Sequence, residues 1–431
     1  MSTQAIEEQI EQISLEIQRQ KDVLKKLKSD KILLQQQLNA LRDPVARLPL
    51  EISSDIFLRC LPPRSGYPEE YPRPKTHLAP LLFLNVCHHW TNIALSTPAL
   101  WASIGIAFPC TSAFKNLLET WLRRAGSRLL HISLRGIFDS VVAHPIQSHS
   151  AQLESLVISF DQTDDLDDLE DESYDFLGGN HLHMELPRLR VLEIRGVGGV
   201  KCFWLSLHRL LRRAPNLTEI FIQNVSFLET INDEEPDSVV LPHLRQLTLY
   251  ENFDGINWVS TPRLEILCLS TEHLFTESFI SFLRQACPPL RKLELCGDSH
   301  SHNFEDSMAL IPTLTHLDIL CLESALAEAL FGFLAQNPHH VPNLETMELD
   351  EVIIPRLASP NDVLTALASV LSVRRSRLKA VRLTICSSNK SLALPDDLTL
   401  FQEFLDDDGV DIEIALSDSP IDLSSDSEDE S

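Results

Sequence analysis

The chain has 431 residues, 44% of them apolar, with 62 Asp and Glu against 36 Lys and Arg and a formal charge of -26. That length calls for two or three units with ample core, and that charge excludes a general nucleic-acid binder, which needs a basic footprint to displace counterions from phosphate. The opening MSTQAIEEQIEQ lacks the positive flank and apolar stretch of a secretory signal, and no run of 18 apolar residues occurs, so a soluble protein of the cytoplasm or nucleus, making no membrane contact, is expected.

Residues 4 to 43 contain neither Gly nor Pro, and a heptad fits Ile6, Ile10, Ile13, Ile17, Leu24, Leu27, Leu34, Leu38 and Leu41, with Gln20 and Lys31 interrupting the seam. Polar residues in such a seam cost stability but fix register. A helix over residues 1–43 that self-associates as a coiled coil is expected; its rival is the same helix folded back on its own globular part.

Residues 44–108 form the next unit. In LPLEISSDIFLRCLPP, Pro49 suits a first helical turn, and Ile52 and Ile56, one turn apart, predict a buried stripe. A segment rich in Pro, Gly and charge runs from Pro62 to Pro80 and reads as a loop. A second helix, LLFLNVCHHWTNIAL, then sets Leu82, Val86 and Trp90 about one turn apart, and STPALWASI follows.

The order Leu48, Pro49, Glu51, Ile52, Ile56, Phe57, Leu61, Pro62, Val86, Cys87, Trp90, Leu100, Trp101 resembles the F-box, and its combination with a preceding heptad helix and TPALW is similar to the F-box families of mushroom-forming fungi. His88 replaces the basic residue often found after Val-Cys, and the loop from Arg64 to Leu78 is longer than in many F-boxes. The resemblance implies a small all-α unit that docks a Skp1-type adaptor joined to a cullin. The residues it implies for the adaptor are Leu48, Pro49, Ile52, Ile56, Phe57, Leu61, Val86, Trp90, Leu100 and Trp101, some of which must instead hold the unit together.

Residues 109–400 repeat. The motif is a Pro or small residue, one residue, Leu, two residues, an aliphatic, one residue and an aliphatic, as in LPRLRVLEI, LPHLRQLTL and VPNLETMEL, led by Leu129, Leu153, Leu189, Leu217, Leu244, Leu264, Leu290, Leu314, Leu344 and Leu378. Two aliphatics spaced by one residue point to the same side of a strand. Between the copies, FWLSLHRLLRRA, SFISFLRQAC, ESALAEALFGFLAQN and NDVLTALASVLS read as helices covering that side. The fold expected is α/β: an N-terminal coiled-coil helix, the small all-α unit, and a parallel-strand solenoid resembling irregular leucine-rich repeats. Asn follows the strand only at Asn252, with Cys386 as substitute in the last copy. The acidic run 161–185 reads as an inserted disordered loop, and 401–431 as an acidic tail, largely disordered.

No phosphate loop, GxSxG, HExxH or CxxC pair occurs, so neither an enzyme nor a cofactor or metal is expected. The nine scattered cysteines read as reduced core residues. Cys87 with His88 and His89 is no catalytic pair, because adjacent helical residues diverge; Cys296, His300 and His302 lack a fourth zinc ligand. Ser425 and Ser427 in the tail resemble acidophilic kinase sites, or belong to a solubilising run. The basic pairs Arg123–Arg124, Arg212–Arg213 and Arg374–Arg375 end helical stretches, where cations complement the dipole.

The resemblance implies the substrate-recognition subunit of a Skp1-cullin-F-box ubiquitin ligase; the alternative is a non-catalytic scaffold that binds the adaptor without ubiquitin transfer. Outward residues of the strands, Glu294, Asp318, Glu348 and Asp350, with Glu193 and Glu219 nearer the start and Lys292 and Arg382 opposing, predict a protein client with a basic patch, anchored by Phe221, Tyr250 and His316.

Overall fold

The structure is a computed structural model that describes residues 3–42, 44–62, 74–136, 138, 140–160, 184–228, 238–250, 259–270, 277–296, 304–354, 360–374, 376–387 and 410–417. Most of the long Pro-rich loop, residues 161–183 of the acidic run, Asn252, His300, His302, Arg375, Ser425 and Ser427 lie outside them. Among the described residues no helix is long and apolar enough to cross a membrane. The chain divides into two units, Met1–Ile106 with Asn116–Leu130, and Ala107–Lys115 with His131–Ser431.

The first unit begins with helix α1 (Thr3–Arg42), 40 residues without a break. Helix α2 (Leu50–Arg59) starts directly after Pro49, whose fixed φ of -56° suits the cap. The stretch from Leu81 is not one helix: Leu81–Asn85 winds as a 3-10 turn, the chain opens at Cys87, and α3 (His88–Ser96) starts anew. Cys87 is the N-cap, its sulfur accepting from the Trp90 N–H at 3.5 Å. The core is aromatic. Phe57 stacks on Phe83 with ring centroids 4.2 Å apart, and Trp90 leans on Phe57 at 4.9 Å. Trp101 donates its indole N–H to the Ala94 carbonyl at 2.9 Å and meets Trp121 edge-on at 5.1 Å. The Arg124 guanidinium lies over Trp101, and its burial there lowers its pKa from the ordinary value.

Strand β1 (Ser103–Ala107) and helix α4 (Ser112–Ala125) precede β2 (Leu130–Arg135), α5 (Ala143–Ser148), β3 (Leu153–Ser159) and β4 (Val191–Phe203). Then follow α6 (Trp204–Arg213), β5 (Glu219–Leu228), β6 (Val239–Val240), β7 (Gln246–Tyr250), β8 (Val259–Ser260), β9 (Ile266–Ser270), α7 (Glu277–Ala286), β10 (Lys292–Cys296) and α8 (Phe304–Ala309). The last elements are β11 (His316–Glu323), α9 (Ser324–Gln336), β12 (Thr346–Ile354), α10 (Pro360–Arg374), β13 (Ala380–Ser387) and β14 (Asp411–Ser417). Among the described residues, twelve strands form one sheet in chain order, with β6 and β8 set apart as a two-stranded sheet. From β3 to β14 every neighbouring pair in the large sheet is parallel.

The repeat motif explains the ladder. Leu153, Leu189, Leu217, Leu244, Leu264, Leu290, Leu314, Leu344 and Leu378 are all buried, as are the paired aliphatics after them, such as Leu293 and Leu295 or Met347 and Leu349. Leu129 departs from the series: it is exposed, and Leu130 is buried in its place. From Leu189 to Leu344, the residue after each leading leucine offers its carbonyl to two successive N–H groups at the start of the next strand, as Arg190 does for Thr218 and Glu219 and Thr315 for Glu345 and Thr346. The four predicted helical stretches appear as α6, α7, α9 and α10, and α9 packs against β11 and β12.

Where the post-strand Asn is replaced by an aliphatic, the strand runs on through a kink. Asn224, Cys321 and Glu351 have φ of 55°, 59° and 60°, and the next residues, Val225, Leu322 and Val352, turn inward and are buried. Asn tolerates this left-handed geometry; Cys and Glu adopt it at a cost of roughly 1 kcal/mol or more each. Gly196 sits opposite the first kink, where a Cβ would collide with the Asn224 carbonyl oxygen.

Two further expectations need correction. The sheet does not stop at residue 400: Asp411–Ser417, inside the span expected to be an acidic tail, pairs with β13 in parallel. The cysteines are not uniformly core residues, since Cys268 and Cys386 are buried whereas Cys60 and Cys287 are exposed.

Candidate interaction surfaces

The residues of the Leu48–Trp101 motif separate into two sets. Phe57, Leu100 and Trp101 are buried at 1% exposure or less and make the aromatic core just described. Trp90 and Leu61 are half-buried, and Pro49 is exposed. Leu48, Ile52, Ile56 and Val86 face solvent, Ile52 at 50%.

The buried stripe expected through Ile52 and Ile56 is therefore displaced by one residue. Ser53 and Phe57 face inward, and the two isoleucines form an outer stripe. The aromatic stack selects Phe57, the larger side chain, for the core, and a helix rotates by about 100° per residue, so its neighbour Ile56 must turn away. The same shift operates at Leu81–Asn85, where Phe83 is buried while Leu82 is exposed. Leu82, together with Leu50 and Leu95, which were not singled out in the sequence, adds to the outward apolar set. Periodicity marked these positions as apolar; only their packing assigns the face.

In the second unit, the direct parallel register brings side chains of many strands into one row. Glu193, Phe221, Thr248, Cys268, Glu294, Asp318, Glu348, Arg382 and Glu413 stand level with one another on β4 to β14. Tyr250 and Asp350 lie two residues further along on the same face, and His316 and Lys292 two residues before. All seven residues predicted to meet a client thus share one face of the sheet, opposite the buried aliphatics.

Its first part is aromatic, with Arg195 paired to a carboxylate. Arg195 binds Glu193 at 3.1 Å and lies 4.6 Å from the centre of the Phe221 ring, which meets Tyr250 edge-on at 5.7 Å. Its second part is anionic. Lys292 reaches Glu294 at 3.1 Å and Asp318 at 4.0 Å; Arg382 reaches Glu348 at 3.0 Å and Glu413 at 3.5 Å; Thr384 donates to Asp350 at 3.1 Å. Arg195 and Glu413 were not among the predicted residues. Glu413 was obscured by the acidic composition around it, although DIEIALS alternates as a strand should.

Charge crowding shows in the titration. Partial burial raises the Asp318 carboxyl above its ordinary pKa, Glu294 adds to the rise, Lys292 opposes it, and Glu348 and Asp350 add further. Burial also raises Glu193, with Arg195 opposing. Burial and the Glu294 charge push the Tyr250 phenol to about 12 and the Cys268 thiol to about 11, so both stay protonated at neutral pH. Among the described residues no group of three or more His, Cys, Asp or Glu is arranged to hold a metal ion. Both surfaces offer binding area. No protein-family model and no curated protein matches this chain.

Proposed function

We propose that this protein is the substrate-recognition subunit of a Skp1-cullin-F-box type ubiquitin ligase, with an F-box in the first unit docking the adaptor and an irregular leucine-rich-repeat solenoid in the second holding a client. The observation that carries the reading is the division within one ordered motif: its aromatic members fill a core, while Leu48, Ile52, Ile56 and Val86 remain in solvent. Apolar side chains presented in this number by a small helical unit mark a docking surface rather than surplus core.

The second unit supports the client half. Side chains held level by backbone hydrogen bonds give a rigid, pre-organised surface, and the excess of carboxylates on β10 to β14 favours a client with a basic patch, anchored beside Phe221 and Tyr250. The protein then contributes by proximity, raising the effective concentration of a client lysine at the charged enzyme.

The test uses the full chain with Ile52→Ala and Ile56→Ala together. Both side chains are outside the core, so thermal melting should be unchanged, while capture of a Skp1-type adaptor should weaken by about 2 to 4 kcal/mol. Unchanged capture would refute this docking surface. Recovery of cullin together with the adaptor supports the ligase subunit, and adaptor without cullin supports a scaffold.

A further inference from the structure

The apolar seam of α1 is uncovered in the single chain: Ile13, Ile17, Leu24, Leu27, Leu34 and Leu38 are all exposed over a helix about 60 Å long. What covers it can be read from the two polar interruptions. Gln20 occupies a d position and Lys31 an a position of the heptad. In a parallel in-register pair, each position meets itself, so two Lys31 ammonium groups share one layer and two Gln20 amides another. In an antiparallel pair, a positions meet d positions, and one register seats Gln20 against Lys31 of the second copy.

We propose that α1 pairs with α1 of a second copy of this chain as an antiparallel two-stranded coiled coil in that register. The same register places Ile17 against Leu34 and Leu24 against Leu27, so every other seam layer is apolar on both sides. Sliding by one heptad would instead seat Gln20 against Leu24 and Lys31 against Ile13, leaving four mixed layers across the pair.

The side chains are already arranged for it. The Gln20 amide N–H donates to the Glu16 carboxylate at 2.8 Å, which commits the N–H, leaves the amide oxygen to act as an acceptor and sets a negative charge beside it. The Lys31 ammonium of the second copy is the matching cation. A parallel pair would keep the Glu16 carboxylates at one level and the Lys31 ammonium groups at another. Flanking charges pull in opposite directions, since Glu16 and Lys21 would attract in a parallel pair and Lys21 and Lys28 repel in an antiparallel one. Those pairs stay in solvent and are weak, whereas the seam layers lose water when the helices pair.

Sedimentation equilibrium on the full chain and two variants decides the matter, independently of any adaptor. Gln and its replacements are all good helix formers, so α1 itself is preserved. Gln20→Glu creates two Glu–Lys layers in the antiparallel pair, and the dimer should tighten by about fivefold at low salt, a gain that fades as salt rises. Gln20→Lys should weaken it by a similar factor. In a parallel pair both substitutions place like charges together and both weaken association. A monomeric chain at micromolar concentration, an assembly other than a dimer, or a Gln20→Glu dimer that is unchanged or weakened overturns the proposal.

Discussion

Asp318 illustrates how much one carboxylate depends on its row. Held between Glu294 and Glu348 by the parallel register, it loses water and gains like-charged neighbours, and Lys292 only partly compensates. A carboxyl whose pKa is raised on folding binds its proton more tightly in the folded state, so it costs stability at neutral pH. That cost is relieved as pH falls through the folded pKa toward the unfolded value near about 3.9. Asp318→Asn should therefore stabilise the protein at neutral pH, by under about 1 kcal/mol for so partly exposed a group. Thermal melts across pH should show the gain shrinking on acidification; a gain that grows toward low pH would contradict the assigned cause. At this scale the sequence revealed residue type but not facing. Alternation along a strand put Glu294 and Asp318 on one side without ambiguity, because the period is two. On α2 the apolar residues span adjacent positions, and the choice between Ile56 and Phe57 for the interior was made by the Phe83 and Trp90 rings, which periodicity cannot see.

Among the elements, α9 and α10 depend on a residue whose role was read differently from sequence. Arg374 does end α10, as its basic character predicted, yet its side chain is buried rather than solvated. The guanidinium donates to the Leu334, Asn337, His340 and Val341 carbonyls at 2.7 to 3.0 Å, gathering the end of α9 and the connection to β12. Arg374→Met should leave those acceptors unmet and cost about 3 kcal/mol or more, measured by urea denaturation. Arg374→Lys should restore little of it, since a single ammonium cannot reproduce the planar fork. A loss below about 1 kcal/mol in the Met variant would mean that water replaces the guanidinium. The helices and the leading leucines were legible because each copy repeats the same spacing. The terminal strand was not: β14 lacks a leading Pro or Leu, and the acidic residues around it outweighed a short alternation of Ile and charge.

At the level of the whole molecule, the row of carboxylates predicts salt-sensitive capture of a basic client. Reversing Glu294, Asp318, Glu348 and Asp350 to Lys should abolish binding of a client identified by affinity purification, and binding to the parent chain should weaken steeply as the Debye length shrinks. Equal binding by the variant at low ionic strength would place recognition elsewhere. The order of the strands carries one more consequence, for what this architecture tolerates over time. Because each strand hydrogen-bonds its neighbours in chain order, a connection can lengthen without disturbing the ladder on either side. Doubling a loop costs only about 0.6 kcal/mol. The long stretch between β3 and β4 is such a case: Ser155 and Val191 remain partners across it. The segment from a leading leucine to its paired aliphatics has no such latitude, since gaining or losing a single residue there would swing the acidic row into the aliphatic interior. Inherited changes in length should therefore accumulate between strands, while the spacing from each leading leucine to its paired aliphatics stays fixed.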